Sequence, residues 1–212
     1  MRELLKDRLR RGIETLSLTV NEEQIEALIV YIEQLEKWNK IYNLTAIRDP
    51  QDMVVRHLLD SLALAPWCSG DTFIDVGTGA GLPGVPLAIL FPNKAFHLLD
   101  SNGKKTRFLM QVKTALGSDN ISIHHSRVES FVPKNLFDVV LSRAFASLVD
   151  MVRDCSHLLA PGGQIFAMKG DIDASEIDSV AALRGLVDVH NLQVPELSEQ
   201  RHLIILSGYN NG

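Results

Sequence analysis

The chain has 212 residues, 46% apolar and 22% charged, with 21 Lys and Arg against 26 Asp and Glu for a formal net charge of −5. This is ordinary globular composition, which excludes the low-hydrophobicity, high-charge signature of disorder. The negative total also excludes a simple basic nucleic-acid-binding module, while leaving nucleic acid open as a substrate. At this length one core is expected, with a helical appendage.

The segment Met1 to Arg11 carries five basic residues, Arg2, Lys6, Arg8, Arg10 and Arg11, and no apolar run, so it does not read as a secretory signal. The next stretch, residues 12–36, has six acidic and no basic side chains; residues 37–169 have 14 basic and 11 acidic; residues 170–212 have two basic and seven acidic. Acid is therefore concentrated in the N-terminal helices and the tail. Two cysteines, Cys68 and Cys155, have neither disulfide-framework nor metal-ligand spacing. We read them as reduced thiols of a cytoplasmic protein without a metal. The charge-free run Val76 to Asn93 is interrupted by four glycines and three prolines, which predicts a loop and a short helix and not a membrane span.

The first sixty or so residues read as helices. Thr19 with Glu22 resembles a capping box, and Ile25, Leu28, Ile29, Ile32, Leu35, Trp38 and Tyr42 recur at helical spacing above an acidic face. From residue 72 the pattern becomes strand and helix in alternation. Short apolar strands are predicted at Thr72–Val76, Ala95–Leu99, Ile121–His125, Phe137–Ser142 and Gln164–Met168, with helices at Gly103–Leu116 and Ser147–Leu159 between them. Such alternation makes a parallel sheet covered on both faces. After a helix around Asp173–Gly185, the candidate strands Leu186–Val194 and His202–Ser207 are too close in sequence for a parallel crossover and must form an antiparallel hairpin. Five parallel strands closed by a hairpin is the architecture of Rossmann-like methyltransferases, not of the all-parallel dinucleotide fold.

The first strand runs into Gly77-Thr78-Gly79-Ala80-Gly81-Leu82-Pro83-Gly84. Gly79 to Gly84 matches the pyrophosphate pattern GxGxxG, whereas Asp75 to Gly81 matches the acid-x-GxGxG turn that holds S-adenosylmethionine. The strand ends at Val76, so the first tight-turn glycine is Gly77 and the pyrophosphate register starts two residues late. In the earlier register the Asp75 carboxylate suits a cationic sulfonium and opposes a pyrophosphate. Asp100, ending the second strand, is placed to accept ribose hydroxyls, and Arg127-Val128-Glu129 lies where an adenine edge would be reached.

Taken together, Trp38-Asn39-Lys40-Ile41-Tyr42-Asn43-Leu44-Thr45-Ala46-Ile47-Arg48, His57-Leu58-Leu59-Asp60-Ser61-Leu62, Asp75 through Gly84, Leu99-Asp100-Ser101 with Lys104-Lys105, Ser142-Arg143-Ala144, Met168-Lys169-Gly170 and Arg201-His202-Leu203 resemble the RsmG (GidB) family of bacterial small-subunit ribosomal RNA methyltransferases over nearly the full length. The resemblance implies an α/β, Rossmann-like class I S-adenosylmethionine methyltransferase with a seven-stranded, mostly parallel sheet, a C-terminal antiparallel hairpin and an N-terminal helical extension. The extension would span 1–60 and the methyltransferase domain 61–212. It implies methyl transfer to N7 of a guanine in 16S rRNA or a small-subunit precursor. By position it makes Gly77, Leu82, Val128, Glu129 and Arg143 cofactor contacts, beside Asp75, Gly79 and Asp100 read from the loop itself.

Guanine N7 has a free lone pair and no proton to lose, so no general base is obligatory and catalysis rests on proximity and orientation. Two other methyl-transfer chemistries fit less well. The place of the Asn/Asp-Pro-Pro-aromatic turn of amine methylation holds Ser142-Arg143-Ala144-Phe145, and no cysteine stands there for attack on a cytosine ring. His124 and His125 read as ordinary structural histidines. Lys104, Lys105, Arg107, Arg143 and Lys169, with Arg48, Arg56 and His57 from the segment before the sheet, are expected to put positive charge around the mouth for RNA phosphates, with Trp38, Tyr42 or Phe145 available to stack on a base. A nicotinamide-dependent oxidoreductase and a non-catalytic RNA-binding module remain as alternatives.

Overall fold

The computed structural model describes residues 1–143, 145 and 147–209. Ala144 of the Ser142-Arg143-Ala144 motif lies outside them. The N-terminal third is helical: α1 (Arg2–Thr15), α2 (Glu22–Tyr42), α3 (Pro50–Met53), a π-helical stretch Val54–Leu59, and α4 (Asp60–Leu62). The capping box of α2 is Asn21 with Gln24, not Thr19 with Glu22: Asn21 Oδ1 accepts the Gln24 amide at 2.8 Å and Gln24 Oε1 accepts that of Asn21 at 3.0 Å. Asn is as good an N-cap as Thr, and beginning at Glu22 lets the Gln24 amide group also bond the carbonyls of Ile89 and Leu90.

Strands β1 (Thr72–Val76), β2 (Ala95–Asp100), β3 (Ile121–His125), β4 (Phe137–Ser142), β5 (Leu159–Lys169), β6 (Leu186–Asn191) and β7 (His202–Ser207) form one seven-stranded sheet in the order β3-β2-β1-β4-β5-β7-β6. The first five run parallel. β7 is antiparallel to both β5 and β6 and is inserted between them, so β6 runs with the parallel set. β5 starts before Gln164: Pro161-Gly162-Gly163 sits inside an irregular pairing with β4 and does not end the preceding structure alone. The predicted helix Ser147–Leu159 is α7 (Leu148–Cys155), capped by Ser147 and followed by a 3₁₀ turn.

Alternate side chains of each strand enter two apolar layers. Phe73, Phe96, Leu98 and Ile121 face α2, α5 (Gly84–Leu90) and α6 (Gly103–Leu116), and the same cluster continues through Leu5, Leu9 and Ile13 of α1. Ile74, Val76, Leu99 and Val140 face α7 and α8 (Ala174–Ala181). The acidic face of α2 is not bare. Arg2 pairs with Glu26 and Glu33, Lys6 with Glu26 at 2.6 Å and Arg10 with Glu22 at 2.7 Å. Among the described residues no helix is long and apolar enough to cross a membrane.

α1 packs tightly on the layer beneath at Gly12. A Cβ there would stand 2.3 Å from Cδ1 of Leu59, itself fully buried. Because α1 shares its apolar cluster with the sheet, we expect Gly12→Val to lower the stability of the whole chain by about 2 kcal/mol in urea unfolding, in one transition, without releasing α1 separately.

Candidate active site

The carboxyl ends of β1, β2 and β3 open into a cleft of about 210 Å³, lined by Val76, Gly77, Leu99, Asp100, Ser101, Ser126, Arg127, Val128, Glu129 and, after β4, Phe145. The glycine turn enters its lining at Gly77. Gly77, Gly79 and Gly81 have φ of 67°, 63° and 92°, a region that side chains with a Cβ rarely adopt. Two carboxylates hold this turn. Asp100 Oδ2 accepts the Gly79 amide at 2.9 Å and Oδ1 that of Asn102 at 2.8 Å, while Lys105 Nζ stands 3.6 Å from Oδ2.

From beneath, Asp75 Oδ2 accepts the Thr78 hydroxyl at 2.7 Å and the Gly84 amide at 2.8 Å. Gly84 is required by this approach, since a Cβ on it would lie 2.9 Å from that oxygen and 2.3 Å from Leu98 Cδ2. Asp75 does not line the cleft and is wholly buried, with no hydrogen-bond partner for Oδ1 among the described residues. Burial pushes its carboxyl up to about 7 against the pull of Thr78, Gly84 and Arg143, with the Asp100 charge adding to the rise. A third support comes from a residue that the apolar stripe does not include: Tyr31 of α2, buried, donates its hydroxyl to the Ala80 carbonyl at 2.9 Å.

Of the expected cofactor residues, Gly77, Asp100, Val128 and Glu129 line the cleft. Gly79 and Leu82 belong to the turn, with Leu82 packed on the core. Arg143 faces a second cavity of about 270 Å³ lined by Asp60, Arg143, Met168, Lys169, Gly170 and Arg201. Asp60 is fully buried; its Oδ1 accepts Nε of Arg201 at 3.1 Å and its Oδ2 lies 3.2 Å from Nη1 of Arg143. Neither Asp60 nor Arg201 stands out in the sequence, except within the family motifs that contain them.

The expected basic rim is less uniform than a count of cations implies. Lys104, Arg107 and Arg48 are exposed. Lys105 pairs with Asp100, Arg56 with Glu199 at 2.5 Å, and Lys169 with Glu176 at 2.6 Å. His57 carries no positive charge at neutral pH: it is buried, its Nε2 lies 2.9 Å from the Thr45 hydroxyl, and burial pushes it down to about 4. Trp38 is half-buried between Tyr42, at 5.3 Å, and Phe108, at 5.9 Å. His124 stacks on His97 at 5.0 Å, and neither ring lines the cleft. Both cysteine thiols are buried and pushed up to about 12, which leaves them unreactive. No group of three potential metal ligands occurs among the described residues.

A sheet ordered β3-β2-β1-β4-β5-β7-β6 with β7 reversed, and a glycine turn tied to the acid at the end of β2, define a Rossmann-like class I methyltransferase. Solved structures agree on the fold. A methyltransferase from Pyrococcus furiosus matches with a TM-score of 0.60 over 83% of this chain and 94% of its own at 16% identity. A ribosomal protein L11 methylase from Lactobacillus delbrueckii subsp. bulgaricus matches at 0.55 over 69% and 75% with 17% identity. Residues 24–204 match the GidB family, described as rRNA small subunit methyltransferase G. Proteins named Ribosomal RNA small subunit methyltransferase G are 52% identical over 208 residues in Cellvibrio japonicus (96% of this chain, 95% of that one) and 52% over 208 in Vibrio vulnificus (98% and 99%). The chain belongs to this methyltransferase family.

The raised Asp75 carboxyl has a measurable sign. The unfolded chain loses this proton near its ordinary value of 3.8 and the folded one near 7. The stability contributed by the protonated form is therefore present at low pH and lost as pH rises between those values. Asn at this position keeps an acceptor oxygen and cannot ionise. We expect Asp75→Asn to match the wild type near pH 4 and exceed it increasingly towards pH 8, by up to about 4 kcal/mol in urea unfolding; a gap that shrinks with pH would contradict this.

Proposed function

We propose that the chain transfers a methyl group from S-adenosylmethionine to N7 of one guanine in 16S rRNA, in the small subunit or its precursor, in the cytoplasm. The observation that carries the reading is the cleft itself: a Cβ-free floor at Gly77, a fixed acceptor at Asp100 and apolar walls from Val76, Leu99, Val128 and Phe145. These residues fit a nucleoside with an attached amino-acid chain. Asp100 would take the ribose hydroxyls with lone pairs left over from its two backbone bonds, and Val128 with Glu129 the adenine. Asp75 and Tyr31 act by ordering the turn.

Bound S-adenosylmethionine supplies an electrophilic methyl group on a sulfonium. The nucleophile needs no deprotonation, so the chain's work is to hold N7 in line with that methyl and to exclude water, through proximity and orientation. The carboxylates near the cleft favour the cationic purine that results. The helical extension over 1–60 and the domain over 61–212 act as one unit in this reading, because α2 reaches the turn through Tyr31.

The test is methyl transfer by the purified chain to small ribosomal subunits lacking the modification. Strand scission at 7-methylguanine is expected at one guanine of 16S rRNA; labelling of an exocyclic amine or of no base would refute the reading. Asp100→Asn is expected to weaken S-adenosylhomocysteine binding about tenfold in calorimetry, the loss of one charge-assisted hydrogen bond. Tight NAD binding would instead favour an oxidoreductase.

A further inference from the structure

α8 carries two acids that differ in exposure: Asp178 is exposed, whereas the Glu176 side chain is only 17% exposed. Glu176 lies in the first turn, beside Ile177 and one helical turn before Val180, both of which pack on the apolar layer of Ile74, Val140 and Leu148. An acid at the packed side of a helix calls for partners. Glu176 has two. Its Oε1 accepts the backbone amide of Leu148, the first residue of α7, at 2.8 Å, and Nζ of Lys169, the last residue of β5, at 2.6 Å. The Lys169 side chain is itself only 14% exposed. One carboxylate oxygen thus ties α8 to both α7 and β5.

The Leu148 amide is one of the donors that a helix leaves without an internal partner at its start. The capping side chain of Ser147 is committed to the Asp150 amide, so Glu176, from elsewhere in the fold, satisfies Leu148 and fixes where α7 begins. The other end of the connection is clipped as well: Ser142, the last residue of β4, donates its hydroxyl to the Val76 carbonyl at 2.7 Å. Phe145 stands three residues from either anchor and, with Val76, lines the cofactor cleft. Stability does not explain the charged pair, because largely buried ion pairs are often no more stable than apolar side chains of similar size. What a carboxylate adds is direction, through charge-assisted bonds to two other elements.

We propose that Glu176 is a positioning residue for methyl transfer: clasped by Lys169, it anchors the start of α7 so that Phe145 stands against bound S-adenosylmethionine at the wall of the cleft. The inference rests on the S-adenosylmethionine-dependent reading above and adds to it a residue outside the cleft. It gives Lys169 a task inside the fold, in place of the RNA contact expected from the sequence.

The experiment compares wild type, Glu176→Met, Glu176→Gln, Phe145→Ala and the double variants Lys169→Met/Glu176→Met and Glu176→Met/Phe145→Ala. Each is measured by S-adenosylhomocysteine calorimetry, methyl transfer to small subunits, RNA binding across a salt series and thermal melting. Lys169→Met/Glu176→Met replaces the pair by apolar side chains of similar length, so it is expected to melt within about 5 °C of wild type. Its S-adenosylhomocysteine affinity and its kcat/KM are expected to fall about tenfold, with the salt slope of RNA binding unchanged. Glu176→Gln keeps an acceptor for the Leu148 amide and loses the charge, for an expected loss of about threefold; it carries the test if the methionine variants do not fold. Phe145→Ala is expected to weaken S-adenosylhomocysteine binding by itself and to add less than about twofold in the Glu176→Met background, as for residues that act through one another.

A merely structural pair would shift the melting temperature and leave S-adenosylhomocysteine affinity and kcat/KM of the folded variants intact, which would overturn the proposal. So would additive losses from Glu176→Met and Phe145→Ala, because the two side chains would then act independently. A salt slope lowered by about one in Lys169→Met/Glu176→Met, with S-adenosylhomocysteine affinity unaltered, would return Lys169 to the RNA surface and overturn it too. Failure of the wild type to bind S-adenosylhomocysteine or to methylate small subunits would refute the functional reading and this inference with it, whereas an active wild type with unaltered Glu176 variants would refute only the positioning role.

Discussion

The structure turns on a buried carboxylate. Asp75 leaves β1 on the face that packs against the helices, and one of its oxygens bridges the Thr78 hydroxyl and the Gly84 amide, joining the beginning and end of the glycine turn. A turn with positive-φ glycines at alternate positions has little intrinsic stability, because glycine loses more conformational freedom on ordering than other residues do. Here it is held by Asp75 from below, Asp100 from the neighbouring strand and Tyr31 from α2. The same constraint explains why α2 belongs to the site although its residues do not line the cleft.

The charge distribution takes its meaning from contacts. The basic N-terminal residues and the acidic face of α2 face each other as ion pairs, and acids of the tail meet Arg8 and Arg56. Exposed pairs of this kind contribute little to stability. They neutralise the N-terminal cations and Arg56, while Lys104 and Arg107 of α6 remain exposed. An overall charge of −5 is therefore compatible with local contact to a polyanion and incompatible with long-range, indiscriminate attraction.

Local signals were legible where they depend on neighbours in sequence. Strand Thr72–Val76 and helix Gly103–Leu116 have the expected limits, and the hairpin followed from the short link between β6 and β7. The hairpin's placement was not legible, because inserting β7 beside β5 depends on sheet pairing and not on the link. The cap of α2 was misplaced because Thr19 and Asn21 both satisfy the pattern, and the contact to α5 decides between them. His57 looks like a cation in sequence and is neutral in the fold, because only the fold specifies its burial.

The sequence by itself determined the fold class, the position of the glycine turn and the family, since periodicity, turn residues and motif order are properties of the chain read linearly. Only the tertiary structure decided which charges remain available and how they are grouped. Arg143 meets Asp60 and Arg201 beyond β4 while its charge still acts on Asp75 and Tyr31 at the glycine turn, and Lys105 and Lys169 are paired with acids. Electrostatic interactions depend on distance and on burial, and neither quantity exists until residues far apart in the sequence are packed together.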